Sequence, residues 1–189
     1  MSLSLIPNLI TIIRVLLIGP FIWYLLQGLY EQALIIFLIA GLSDGLDGLL
    51  AKQFKWQSRF GSITDPLADK MLFFVALLLL AIKGQISWNL FWVATIRDLI
   101  IVTGATWYHF KFGRYEMRPS LISKINTALL VLLVLLVLIH LAWYPLAPWV
   151  LVSLEWVIIS TCVISGVHYL WLGRQAYLAQ KSQQNSSSV

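Results

Sequence analysis

The sequence predicts an all-α integral membrane protein of six transmembrane helices, and three observations carry that expectation. Apolar residue types make up 60% of the 189 residues and charged types only 11%, less than half the roughly 25% of soluble domains. Mean hydropathy is +0.85, more apolar surface than a water-soluble domain of this size can hide. Apolar runs of about 20 residues, the length that crosses a bilayer, recur along the chain. This composition excludes disorder, an ordinary soluble globule and a nucleic-acid-binding tail. The net charge of +5 fits loops that face an anionic membrane surface.

The first expected span runs from Asn8 to Leu29, with Glu31 marking its far end. The second runs from Gln32 to Leu50 and closes in an acidic cluster. The third starts near Pro66 and continues to Lys83. The fourth covers Trp88 to Phe110, the fifth Leu121 to Trp143, and the sixth Pro148 to Trp171. The fifth is the plainest, because no Asp, Glu, Lys or Arg occurs between Lys124 and Glu155. Residues 1–180 read as one catalytic membrane domain, and the polar tail 181–189 as disordered. No basic cluster or small-residue cleavage pattern marks a signal peptide before Ile6. Cys162 is the lone cysteine, so an intrachain disulfide and a cysteine-built metal site are both excluded.

Charge placement gives the orientation. Lys52, Lys55 and Arg59 lie between spans two and three, and Lys111, Arg114, Arg118 and Lys124 between spans four and five. Arg174 and Lys181 follow span six, whereas the opposite side holds Lys83 alone. Both termini are therefore expected in the cytoplasm. Trp88, Phe91, Trp92, Trp143, Tyr144 and Trp149 fall at the other face, where an aromatic belt belongs.

Four of the eight acidic residues lie between positions 44 and 69: Asp44, Asp47, Asp65 and Asp69. Their spacings, three apart and four apart, put each pair on one helical face. Two such pairs on consecutive antiparallel helices can converge on one point. Carboxylates at membrane depth are expensive and usually functional. Four in one cavity repel unless protons or cations neutralise them. Hard divalent cations with oxygen ligands suit such a set, and two metals about 4 Å apart form a known clamp for phosphoryl-type displacement. Gly41, Gly45, Gly48 and Gly61 surround the cluster, and the small Gly48 and Ala51 leave room for a ligand against the helix backbone. Asp65 before Pro66 fits an N-cap, but capping does not explain Asp44 and Asp47 inside a span, or Asp69 one turn further on.

As written, the stretch is SDGLDGLLAKQFKWQSRFGSITDPLADK. It closely resembles the signature of the CDP-alcohol phosphatidyltransferases, a family of integral membrane enzymes. Four aspartates, two glycines and an alanine at fixed spacing make that resemblance specific. One position departs, because the family usually has Arg where this chain has Lys52; the charge stays and bidentate phosphate recognition is lost. The opening IPNLITIIRV, the segment DPLADK, the pair Arg97-Asp98 and the run PSLISKINTA look like the branch that makes glycerol-based anionic phospholipids. PSLISKINTA looks more like the eukaryotic-type cardiolipin synthases, since phosphatidylglycerophosphate synthases tend to carry a second Lys where this chain has Asn126.

The resemblance implies that CDP-diacylglycerol donates a phosphatidyl group to a phosphate-bearing glycerol acceptor and that CMP leaves. Phosphatidylglycerol is the expected acceptor, giving cardiolipin, with glycerol 3-phosphate as the alternative. It implies two divalent cations, Mg²⁺ or Mn²⁺, on Asp44, Asp47, Asp65 and Asp69, with Asp69 also the catalytic base. It places Gly48, Ala51, Lys52 and Gly61 at the CDP moiety, with Asn8, Thr11 and Arg14 on the donor side. Arg97, Arg118 and Lys124 are the candidates for the acceptor phosphate; an ion pair with Asp98 is the other reading of Arg97, and interfacial anchoring that of Arg118 and Lys124. A homodimer in the bacterial inner membrane, acting on membrane lipids and not on nucleic acid, completes the expectation. A small cation transporter is the distant alternative; aspartates gathered near one membrane face argue against it. A purely structural membrane protein leaves the acidic cluster unexplained. His109, His140 and His168 have no metal-ligand spacing and are expected to pack or join the interfacial belt, ligand contact by His109 or His168 being the other reading.

Overall fold

The computed structural model describes the backbone of residues 5–54, 61–112 and 121–187, and the side chains of 13, 15–43, 70–104, 122–169 and 171. Among the described residues it is all helix: α1 (Leu5–Leu26), α2 (Tyr30–Phe54), α3 (Gly61–Ile82), α4 (Trp88–Phe112), α5 (Leu121–Ala142) and α6 (Pro148–Ser187). Each expected span overlaps one of these helices. Among the described residues two stretches, Ile122–Ala142 and Pro148–Tyr169, are long and apolar enough to cross a membrane. Val15–Leu26, Tyr30–Ser43 and Lys70–Ile82 are shorter apolar stretches of α1, α2 and α3. Helix α6 continues to Ser187, through the tail that composition marks as unstructured. Its Ala, Leu, Gln and Lys residues favour helix, and neither Pro nor Gly follows Gly173 to stop it.

The chain divides into two compact units, Met1–Ile86 with Val131–Leu151, and Ser87–Leu130 with Val152–Val189. In the first, α1 packs on both α2 and α3. Phe21, Phe37 and Phe73 form an aromatic chain through these helices, with ring centroids 6.1 and 5.8 Å apart. The seam is otherwise aliphatic and small: Ile18, Leu25, Ala33, Leu34, Ala40, Leu72, Ala76 and Leu80 are buried.

The ends of α1 and α3 are built alike. Gly28 and Gly84 adopt the left-handed conformation, with φ of 76° and 69°. The Leu29 amide reaches back to the Tyr24 carbonyl at 2.9 Å, and the Gln85 amide to the Leu80 carbonyl at 2.9 Å. Both are Schellman caps, which glycine enters without a Cβ penalty. Lys83 then ties the two ends together: its Nζ donates to the Leu26 carbonyl at 3.1 Å and lies 5.7 Å from the centroid of the Tyr30 ring. The C-termini of α1 and α3 therefore share one end of the first unit, and α2 starts beside that end and runs back against α1.

In the second unit the helix order follows from hydrogen bonds. Ser87 caps α4, its Oγ accepting the Leu90 amide at 3.2 Å, while the Ser87 amide donates to both oxygens of Glu155 on α6 at 3.3 Å. Further along, Arg97 of α4 meets Ser165 of α6. Partners on α4 and α6 advance together, so these helices run parallel. Along α5, Ser123 is level with Ser165 and Asn126 with Cys162. Those partners run in opposite senses, so α5 is antiparallel to α4 and α6.

Candidate functional site

The polar residues singled out in the first 70 positions fall at one end of the first unit. Asn8, Thr11 and Arg14 lie early on α1, Asp44 and Asp47 late on α2, Asp65 and Asp69 early on α3. With the C-termini of α1 and α3 held together by Lys83, the starts of both helices and the close of α2 belong to the opposite end.

Helical register adds to that placement. On α2 the buried Ala33, Phe37 and Ala40 recur every three or four residues, and Asp44 and Asp47 continue the same stripe. On α3 the buried Leu72, Ala76 and Leu80 continue backwards through Asp69 and Asp65. On α1 the buried Ile18, Phe21 and Leu25 lead back to Arg14, Thr11 and Asn8. The stripes that bury apolar residues at one end of the unit carry polar residues at the other, and on α2 and α3 those are carboxylates.

Such a donor set fits a hard divalent cation, which takes oxygen ligands and needs negative charge around it. The side chains of the four aspartates, and of Asn8, Thr11, Arg14, Lys52 and Gly61 with its neighbours, lie outside the described residues, as do those of Gly48 and Ala51. Among the described residues no group of three His, Cys, Asp or Glu is placed to hold a metal. Arg118 also lies outside the described residues.

The acceptor candidates on α4 and α5 are described in full. Arg97 is buried, with a side chain 6% exposed. Its Nη1 donates to Asp98 Oδ1 at 2.6 Å. Its Nη2 donates to the Ser123 carbonyl at 3.2 Å, to Ser123 Oγ at 2.5 Å and to Ser165 Oγ at 3.4 Å. Its Nε has no partner among the described residues. The terminal nitrogens are thus engaged within the protein, whereas Lys124, one residue beyond Ser123, is exposed. Below Arg97 the polar seam continues. Asn126 is fully buried, donates to Cys162 Sγ at 3.2 Å and accepts from Thr161 Oγ1 at 2.7 Å.

Ser123, Ser165, Thr161 and Glu155 are residues that the motif reading passes over. A signal was present: Glu155, Ile158, Cys162 and Ser165 recur at three- and four-residue steps, as do Ser123, Asn126 and Leu130. Small and polar residues at that spacing mark helix–helix seams in lipid. His140, expected to pack, accepts the Leu146 amide on Nδ1 at 2.7 Å and holds the turn into α6.

Comparison with known proteins agrees with the motif. A family model described as CDP-alcohol phosphatidyltransferase matches residues 4–167. A Shigella flexneri protein named CDP-diacylglycerol–glycerol-3-phosphate 3-phosphatidyltransferase is 32% identical over 173 residues, covering 88% of this chain and 89% of its own length. A rice protein, the chloroplastic CDP-diacylglycerol–glycerol-3-phosphate 3-phosphatidyltransferase 1, is 32% identical over 182 residues, 86% of this chain and 55% of that protein. The rat protein named cardiolipin synthase (CMP-forming) is 32% identical over 146 residues, 68% of this chain and 48% of that protein. The chain thus spans about half the length of the rice and rat relatives it matches. The matched region runs from the start of α1 into α6 and takes in all four aspartates. By that match and that motif, the chain belongs to the CDP-alcohol phosphatidyltransferase family, in the branch of the glycerol phospholipids.

Proposed function

We propose that this chain is an integral membrane phosphatidyltransferase. It moves the phosphatidyl group of CDP-diacylglycerol to a phosphate-bearing glycerol acceptor and releases CMP. The observation that carries this reading is the continuation of three buried helix stripes into a shared polar end bearing Asp44, Asp47, Asp65 and Asp69. Six spans, cytoplasmic termini and a homodimer in the bacterial inner membrane belong to the same proposal.

The four aspartates are the residues to hold two divalent cations, Mg²⁺ or Mn²⁺. When bound, such cations neutralise the diphosphate and the departing CMP. Asp69 accepts the proton of the acceptor hydroxyl. The hydroxyl oxygen bonds to the β-phosphorus while the bond from that phosphorus to the CMP oxygen breaks. Gly48 and Ala51 admit the nucleotide close to α2, Lys52 and Gly61 flank it, and Asn8, Thr11 and Arg14 serve the donor from α1. Lys124 and Arg118 attract the acceptor phosphate, and Arg97 supports the first turn of α5 through its bonds to Ser123.

Phosphatidylglycerol is the proposed acceptor, and cardiolipin the product. Asn126 favours it: a neutral amide, fully buried and bonded to Thr161 and Cys162, fills a position where a second lysine would add charge for a free phosphate monoester. Glycerol 3-phosphate is the second reading, favoured by a relative named for that acceptor that this chain covers over 89% of its length. Mass spectrometry of the lipid formed from CDP-diacylglycerol with each acceptor separately decides between them. Cardiolipin from phosphatidylglycerol is expected. Product from glycerol 3-phosphate alone moves the assignment to the second reading.

A further inference from the structure

Asp98 is a charged residue that the proposed chemistry does not use. It lies within α4 between the exposed apolar Ile96 and Leu99, and its side chain is 42% exposed. A half-exposed carboxylate in an apolar helix is costly against lipid and belongs beside a polar cavity or ligand. It is also held in place, because Oδ1 takes the Nη1 hydrogen of Arg97 at 2.6 Å. Arg97 is in turn fixed from behind by Ser123 and Ser165.

Helix geometry then sets what stands next to Asp98. Arg97 and Ser123 face each other across α4 and α5. These helices are antiparallel, so the residue after each facing residue is turned by about 100° to the same flank of the seam. Those residues are Asp98 and Lys124. Lys124 is exposed, and no ion pair between the two is present among the described residues. A carboxylate and an ammonium therefore stand on one flank, near the first turn of α5, without neutralising each other.

We propose that Asp98 and Lys124 form a subsite for the acceptor in the reaction proposed above. Lys124 takes the acceptor's phosphate. The Asp98 carboxylate accepts a hydrogen bond from the acceptor's secondary hydroxyl, the one that does not attack. Arg97 is a positioning residue: it aims Asp98 and sets the first turn of α5 through Ser123, and it does not itself touch the ligand. The chemistry recognised is a phosphate ester with a hydroxyl on the neighbouring carbon.

The test compares each acceptor with an analogue lacking the secondary hydroxyl: phosphatidylpropanediol for the lipid acceptor and 3-hydroxypropyl phosphate for the soluble one. Purified full-length chain in lipid nanodiscs is assayed for CMP release. Asp98→Asn is expected to lower acceptor kcat/KM about tenfold or more for the hydroxyl-bearing acceptor, as for a hydrogen bond to a charged group. For the analogue it should change little, with the donor KM unchanged in both cases. Lys124→Gln, a surface change that keeps the fold, should raise acceptor KM about tenfold for acceptor and analogue alike. Ser165→Ala, which loosens Arg97, should reproduce the Asp98→Asn pattern more weakly. Equal losses for acceptor and analogue in Asp98→Asn, or an unchanged acceptor KM in Lys124→Gln, overturn the subsite while the transfer reading stands. No CMP release by the unaltered chain overturns the transfer reading, and the subsite with it.

Discussion

The two units of this chain hold their helices by different means. Between α1, α2 and α3 the described buried residues are aliphatic, aromatic or alanine. The buried polar residues among the described ones, Arg97, Ser123, Asn126 and Ser165, lie in the second unit, on α4, α5 and α6. In lipid, apolar side chains gain little from leaving the solvent, so close packing must hold the first unit. The second uses interhelical hydrogen bonds, each modest in net worth because partners are also found in the unfolded state in a membrane. The contrast separates two tasks. A dry, tightly packed scaffold carries the carboxylates at its polar end, and a hydrogen-bonded seam sets the direction of single side chains.

The largest expected effect tests what the dry scaffold is for. Asp69→Asn should reduce CMP release by about a hundredfold or more, the usual contribution of a positioned general base, with the chain still folded in detergent. Near-normal turnover would remove Asp69 as the base. Next in size is a cavity in the scaffold itself. Leu80→Ala removes a fully buried side chain of α3 and should cost about 2 kcal/mol in denaturant or thermal unfolding, the lower end for such changes because the transfer part is small in lipid.

A smaller loss should follow in the polar seam. Asn126→Leu removes the bonds to Thr161 and Cys162, but Thr161 keeps the Ile158 carbonyl of its own helix as an acceptor. A cost of about 0.6 kcal/mol is expected, near the average for interhelical hydrogen bonds in membranes. A cost above that of Leu80→Ala would reverse the comparison. The smallest effect belongs to the tie across the first unit: Lys83→Met should cost about 0.5 kcal/mol, losing a helix C-terminal cation and a cation–π contact at an exposed site.

Much of this was legible in the sequence because the underlying signals are local. Apolar run length marks a helix in lipid, and the helices found begin and end within a few residues of the expected spans, α6 excepted. The aspartate motif stands out because spacings of three and four residues are helical periodicity. The Schellman caps were less visible, since Gly28 and Gly84 only become informative once the preceding helix is known to stop there. The polar seam was least visible. Ser123, Ser165 and Thr161 are ordinary residue types in membrane helices, and their role depends on which helices meet and in which sense. Arg97 shows the difference. Its position in an apolar run says that it needs partners, but only the fold supplies Ser123 from α5 and Ser165 from α6 and leaves Asp98 half exposed.

The proposed phosphatidyl transfer takes place at the polar end of α1, α2 and α3. Its most direct test is CMP release by the purified chain given CDP-diacylglycerol, Mn²⁺ and phosphatidylglycerol or glycerol 3-phosphate. The account predicts acceptor-dependent CMP release that stops when a chelator removes the metal. No CMP with either acceptor, or release that continues undiminished in excess chelator, would contradict it.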